Sequence, residues 1–331
     1  MAEAPVRPGE FALIARYLRP LADDPAALDL SDDAAVLRPP PGMDLVLTKD
    51  MVASGIHFFA SDPPASIARK ALRVNLSDLA AKGAVPVGYL LGLALPDDWT
   101  EAWVAEFAAG LAADQKSFRV PLLGGDTVKA PGELTLSVTA IGAVPAGRMV
   151  RRGGARPGDA ILVSGTIGDA ALGLRLRLGT LDGAAAGEGV DHLLDRYLHP
   201  MPRLGLAQAL RRHASAALDV SDGLAGDLGH MLRASGVGGR IEAGRVPLSP
   251  AAAALIADDP SALASVLSGG DDYEILASVP QHRVAAYRAE AAAAGIDVAV
   301  IGEIVAGAGP ALVVDAAGVP IVLERASHDH F

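Results

Sequence analysis

"ALDVSDGLAGDL", residues 217–228, sets three aspartates, Asp219, Asp222 and Asp227, among small and apolar residues with no lysine or arginine between them. It reads as an apolar run, a glycine-containing turn and the start of a helix over about 223–234. Asp222 stands where an aspartate caps a helix by accepting its first amides. It also stands where strand ends and glycine-rich turns display site residues. Asp227 falls inside the helix and reads as structural.

The pattern recurs five more times. "LSDDAAVL" carries Asp32 and Asp33, "LTKDMV" carries Asp50, and "NLSDLAAKGA" carries Asp78. "LGGDTV" carries Asp126, and "SGGDDYEI" carries Asp271, Asp272 and Glu274. Taken singly, each has an ordinary explanation. An Asp beside Gly forms turns, and Asp78 with Lys82 has the spacing of a helical ion pair. Taken together they imply a cation, because converging carboxylates repel unless something neutralises them. The chain has no cysteine and 8 histidines, so the matching ion is hard and oxygen-loving, Mg²⁺ or Mn²⁺. Such ions commonly bridge the phosphates of a nucleotide. No G-x-x-x-x-G-K-[ST] loop and no kinase-like H-R-D with D-F-G is present. A nucleotide is then held through metal, glycine-rich backbone and isolated cations such as Arg152. His57, in "SGIHFF", lies between apolar residues as a core histidine does.

The whole chain bounds the same picture. Its 331 residues suffice for two domains. It is 51% hydrophobic and only 4% aromatic, an alanine-rich globular composition. A formal net charge of −11 argues against a nucleic-acid surface. The absence of cysteine removes disulfides and thiolate chemistry and suits a reducing compartment. The N-terminus shows no signal-peptide pattern, and the apolar runs are too short to span a bilayer. The expected location is cytoplasmic.

Strands are expected at 44–51, 87–96, 134–144, 160–165, 239–243, 273–279 and 297–302. Helices are expected at 64–82, 99–117, 169–179, 203–213, 223–234 and 281–294. "AGRMVRRGGARPGD", residues 146–159, reads as the junction between a domain of residues 1–147 and one of 148–331. The first half reads as mixed strand and helix, without the long βαβαβ pattern of a doubly wound sheet.

The motifs taken in order are "GEFALIARYL", "SDDAAVL", "LTKDMVASGIHFF", "VNLSDLAAKGAVP", "LGGDT", "RRGGARPGD", "VSGTIGDAALGL", "HPMPRLGLA", "LDVSDGLAGDLGH", "SGGDDYEI" and a terminal "DHF". This series closely resembles the thiamine-monophosphate kinase family, from Gly9 to Phe331. The resemblance implies the aminoimidazole ribonucleotide synthetase-like fold, with an N-terminal α+β domain that pairs across a homodimer into a barrel-like sheet and a C-terminal α/β domain. It implies transfer of the γ-phosphoryl of ATP to thiamine monophosphate. It also implies metal ligands at Asp33, Thr48, Lys49, Asp50, Asp78, Asp126, Asp219 and Asp222, with Asp50, Asp126 and Asp222 essential. Gly125, Asp126, Arg152 and Ser221 are implied at ATP, and His57, Asp271 and His328 at the second substrate. The sequence departs from the family pattern at Ser31, where glycine is usual, and at Lys49, where a hydroxyl residue is usual. At Lys49 a backbone carbonyl is left to serve the metal. His328 stands where the family commonly has an aromatic.

The implied acceptor is a phosphate monoester, which is mostly dianionic at neutral pH because its second pKa is about 6. It needs charge shielding more than a general base. Another ATP-dependent enzyme of the same superfamily, or a non-catalytic nucleotide-binding relative, is the alternative reading.

Overall fold

The computed structural model describes residues 8–323. They divide into two units: the residues through Leu79 with Pro86–Ala146, and Ala80–Val85 with the residues from Gly147 on.

In the first unit α1 (Glu10–Leu13) is followed by β1 (Met43–Ala53), α2 (Pro64–Ala81), β2 (Val85–Leu95), α3 (Glu101–Phe118), β3 (Leu122–Lys129) and β4 (Thr135–Pro145). The strands form one sheet in the order β1-β4-β2-β3. β1 and β4 run antiparallel from Met43 opposite Pro145 to Ala53 opposite Thr135, while β2 and β3 run parallel. One face carries Val46, Val52, Leu136, Val138 and Ala140, all buried. The other face leaves Leu47 65% and Met51 55% exposed. Thr100 caps α3 by accepting the N–H of Trp103 at 3.1 Å. α2 and α3 are tied by a buried, two-pronged ion pair: Arg73 Nε and Nη2 donate to Asp114 at 2.6 and 2.7 Å.

The second unit contains β5 (Asp159–Ser164), α4 (Asp169–Arg177), α5 (Val190–Leu198), α6 (Ala207–His213), β6 (Ala216–Asp219), α7 (Leu224–Ser235), β7 (Gly238–Glu242), α8 (Pro250–Asp258), α9 (Ala262–Ser268), β8 (Ile275–Pro280), α10 (Val284–Ala293), β9 (Val298–Val305) and β10 (Ala311–Val314). Its sheet has the order β10-β7-β9-β5-β8-β6. β10 and β7 are parallel, and the other neighbours are antiparallel, so this is a mixed sheet. Strand alternation feeds two cores. Ile161, Val163, Leu218 and Leu276 pack with Leu228 and Leu232 of α7. Ala160, Leu162, Ala217 and Ala277 pack with Leu210 of α6 and Tyr287 of α10. All six residues of β5 are buried, as a strand covered on both faces requires.

Two local readings are revised. "LLGGDTVK" forms strand β3 where its glycine pair suggests a turn. Helix α7 has Gly223 at its N-cap with no side-chain cap, so Asp222 does not take the capping role open to it.

Candidate active site

In the first unit, the alternation of β1 sorts the "TKD" residues onto opposite faces of the sheet. Thr48 points to α2, where its hydroxyl donates to Asp78 Oδ2. Asp50 shares that side by alternation. Its backbone N–H donates to Asn75 Oδ1 at 2.9 Å, and Asn75 Nδ2 donates in turn to the Ala71 carbonyl at 3.0 Å. Asn75 is fully buried and fixes Asp50 to the helix that carries Asp78. Sequence reading passed over it, although it opens the "NLSD" motif. Asp78 itself lies within α2, inside the helix expected over 64–82.

Lys49 lies opposite Thr139 of β4 and enters the other side of the sheet. There a groove of about 900 Å³ gathers Asp32, Asp33, Lys49, Gly125 and Asp126, with Phe11 and Ile14 along one wall. Asp126 lies opposite Gly92 of β2. The preceding Gly125 allows that pairing, because a Cβ there would sit 1.9 Å from the Leu91 carbonyl oxygen. Just before Asp32, three non-glycine residues, Leu28, Asp29 and Leu30, take positive φ of 50°, 57° and 51°. Left-handed residues of this kind concentrate at functional sites.

His57 follows β1 in a tight turn. Its N–H donates to the Ala53 carbonyl at 3.0 Å, and its Nδ1 accepts the Ala53 N–H at 3.1 Å.

In the second unit, the loop after β6 and the loop before β8 are stitched together by backbone. Val220 N–H donates to the Glu274 carbonyl at 2.8 Å, Tyr273 N–H to the Val220 carbonyl at 2.8 Å, and Asp271 N–H to the Ser221 carbonyl at 2.9 Å. Gly270 permits the approach, since a Cβ there would lie 2.3 Å from the Ser221 oxygen. Asp271 and Tyr273 have φ of 71° and 52°. Asp219, Ser221, Asp222 and Asp271 are thus brought together.

Behind this loop pair stands a buried polar support that sequence reading did not find. Glu274 accepts from Arg196 at 2.9 Å, Arg203 Nε at 2.7 Å and the Ser164 hydroxyl at 2.6 Å. Asp272 accepts the Gly168 N–H at 2.7 Å, ahead of α4, and burial holds its carboxyl well above the ordinary carboxylate range. The sequence signal was the run Asp271-Asp272-Tyr273-Glu274, whose alternate acids serve different ends.

The Asp222 N–H donates to Asp227 Oδ2 at 2.9 Å. Burial pushes the Asp227 carboxyl up to about 7, although the Asp222 N–H favours its charged form. Arg152 is within electrostatic reach of Asp227 and of His230. His230 is held below its usual value by burial first and then by Arg233 and Arg152. His328 lies outside the described residues. Among the described residues, no three His, Asp or Glu side chains are gathered at ion-binding distances, and no helix is long and apolar enough to cross a membrane.

The model of the AIR synthase related protein N-terminal domain matches residues 31–144, and that of the C-terminal domain matches 156–315. The thiamine-monophosphate kinase of Caulobacter vibrioides is 49% identical over 315 residues, which cover 93% of this chain and 87% of that protein. A solved thiamine-monophosphate kinase from Stenotrophomonas maltophilia K279a superposes with a TM-score of 0.83 at 41% identity, covering 95% of this chain and 98% of that one. AaThiL complexed with AMPPCP and TMP superposes with a TM-score of 0.78 at 30% identity, covering 98% and 99%.

Proposed function

The chain belongs to the thiamine-monophosphate kinase family, and from that premise we propose that it transfers the γ-phosphoryl of ATP to thiamine monophosphate, giving thiamine diphosphate. The observation that carries this reading is the likeness over 98% of the chain to a protein solved with AMPPCP and TMP.

The proposed ligands are oxygen donors throughout: the Thr48 hydroxyl with Asp50 and Asp78 on the α2 side of the first sheet, Asp33 and Asp126 in the groove on its other side, and Asp219 and Asp222 in the second unit. That donor set fits Mg²⁺ and disfavours softer ions. Mg²⁺ held by these residues would neutralise the negative charge on the phosphate oxygens. Lys49 is a poor ligand through its side chain, because an ammonium has no lone pair to give. Its carbonyl is the group proposed for the metal.

Gly125, Asp126, Arg152 and Ser221 are assigned to ATP. The close β2–β3 approach at Gly125 presents backbone to the nucleotide, Arg152 supplies positive charge, and Ser221 supplies a hydroxyl donor. His57 and Asp271 are assigned to the thiamine phosphate, with His328 completing the set. No residue is assigned as general base, because the acceptor arrives ionised.

The exposed Leu47 and Met51 on the open face of the first sheet support a homodimer in which two such sheets pair into a barrel-like arrangement. A cytoplasmic location accords with the use of ATP and a chain without cysteine.

A coupled assay of ADP release tests the reaction. Thiamine monophosphate should be turned over and thiamine should not. An alcohol acceptor needs a positioned base worth roughly 10²–10⁴-fold, and none is assigned here. Comparable rates with the two acceptors would overturn this account of the site.

A further inference from the structure

Asp227 has no role in the scheme above, yet it is the carboxylate that grips the nucleotide-facing loop. The carbonyl side of that loop is already held: the Val220 and Ser221 carbonyls accept from Tyr273 and Asp271. The amide side is held from α7. Asp227 Oδ2 accepts the Asp222 N–H at 2.9 Å, and the neighbouring Ser221 amide also favours the charged carboxylate. The Asp227 N–H meanwhile makes the first-turn bond of α7 to the Gly223 carbonyl at 2.9 Å. α7 is anchored by Leu224, Leu228, Met231 and Leu232, all fully buried.

We propose that Asp227 is a positioning residue: by holding the Asp222 amide from a rigid helix, with the Ser221 amide beside it, it sets the direction of the Ser221 hydroxyl and the Asp222 carboxylate. The proposal rests on the assignment of those two residues to ATP and its metal.

The clamp has a specific chemical requirement. One amide donates to the Asp227 carboxylate and a second acts on it electrostatically, and a charged, acceptor-only group suits both. Asparagine keeps one acceptor oxygen but loses the negative charge that both amides favour, and it turns an NH₂ toward them. Asp227→Asn should therefore loosen the loop without emptying the core, and it removes a buried charge whose desolvation is costly. Fold stability and site geometry are expected to separate in this variant. A purely structural residue would move them together.

The test is calorimetric titration of the full-length protein with AMPPCP and Mg²⁺, beside thermal melting and titration with thiamine monophosphate. Asp227→Asn should weaken AMPPCP binding about tenfold, the scale of one hydrogen bond to a charged group. Its midpoint should stay within about 4 °C of wild type, and thiamine monophosphate affinity should stay within about twofold. Asp227→Ala, which leaves both amides without the carboxylate, should lose about tenfold more. Wild-type AMPPCP affinity in both variants would overturn the proposal. So would losses that fall equally on AMPPCP and thiamine monophosphate. Failure of the wild-type protein to bind AMPPCP would overturn the kinase reading, and this inference with it.

Discussion

His57 Nδ1 accepts the backbone N–H of Ala53 at 3.1 Å, which places the neutral ring's proton on Nε2. A ring locked this way presents a donor suited to a phosphate oxygen. His57→Ala is expected to raise the KM for thiamine monophosphate about tenfold and leave that for ATP within about twofold. Steady-state kinetics with each substrate varied decides it. An equal change in both, or a large fall in melting temperature, would assign His57 to the fold alone.

Asp50 is fixed through its amide to Asn75, and Asp222 through its amide to Asp227. Neither amide bond depends on the aspartate's own carboxylate. Asp50→Asn and Asp222→Asn should therefore keep the fold while lowering turnover by about 10²–10³-fold or more, the scale of losing one preorganised charge at the reacting phosphate. Single-turnover rates at saturating Mg²⁺, with circular dichroism as control, provide the check. Turnover near wild type in either variant would remove it from the site.

Lys49 shares a groove with Asp32, Asp33 and Asp126, where its positive charge opposes any cation drawn to those carboxylates. Lys49→Thr removes that charge and supplies a hydroxyl. The Mg²⁺ concentration for half-maximal rate should fall about three- to tenfold, the effect of one charge at intermediate range. An unchanged Mg²⁺ titration would show that the Lys49 ammonium does not act on the metal.

Arg73 and Asp114 form a buried pair that includes no residue assigned to either substrate. Asp114→Ala leaves a buried guanidinium without its partner and should cost about 3–5 kcal/mol of stability. Activity per folded molecule should hold. Denaturant melts and active-site titration separate the two, and a loss of specific activity in folded protein would give the pair a role beyond packing.

Leu47→Asp places a charge on the open face of the first sheet. In the proposed homodimer that charge is buried, so light scattering at micromolar concentration should show a shift to monomer. A wild-type monomer at that concentration would count against the dimer.

Much of this architecture was legible because burial periodicity was clean. β1, β2, β4 and β5 alternate or run apolar, and α2 and α3 are bounded by prolines, Thr100 and Gly83. β3 was not legible. In "LLGGDTVK" the glycines signal a turn locally, and only the proximity of Leu91 shows that Gly125 is there for strand packing. Two pairs of stretches within the chain look alike and fold differently: in "NLSDLA" Asp78 lies in a helix, while in "DVSDGLA" Asp222 lies in a loop; in "GGDT" Asp126 lies in a strand, while in "GGDD" Asp271 has a left-handed backbone. Sequence picked out the acids and read Asp227 as structural, but it passed over the holders Asn75, Arg196 and Arg203. Asn75 reaches Asp50, and Arg196 and Arg203 reach Glu274, only through tertiary folding.

The three backbone bonds that stitch Val220–Ser221 to Asp271–Glu274 bear on how this site can change over evolutionary time. The bonds use main-chain atoms, so side chains on either loop can vary without breaking them, whereas an insertion in one loop must displace the other. The residue assigned to the acceptor and those assigned to the donor are thereby heritable as one block. A lineage that shifts to a bulkier acceptor is expected to accommodate it elsewhere, around His57 or the chain terminus, and to keep the length of the Asp271 loop unchanged.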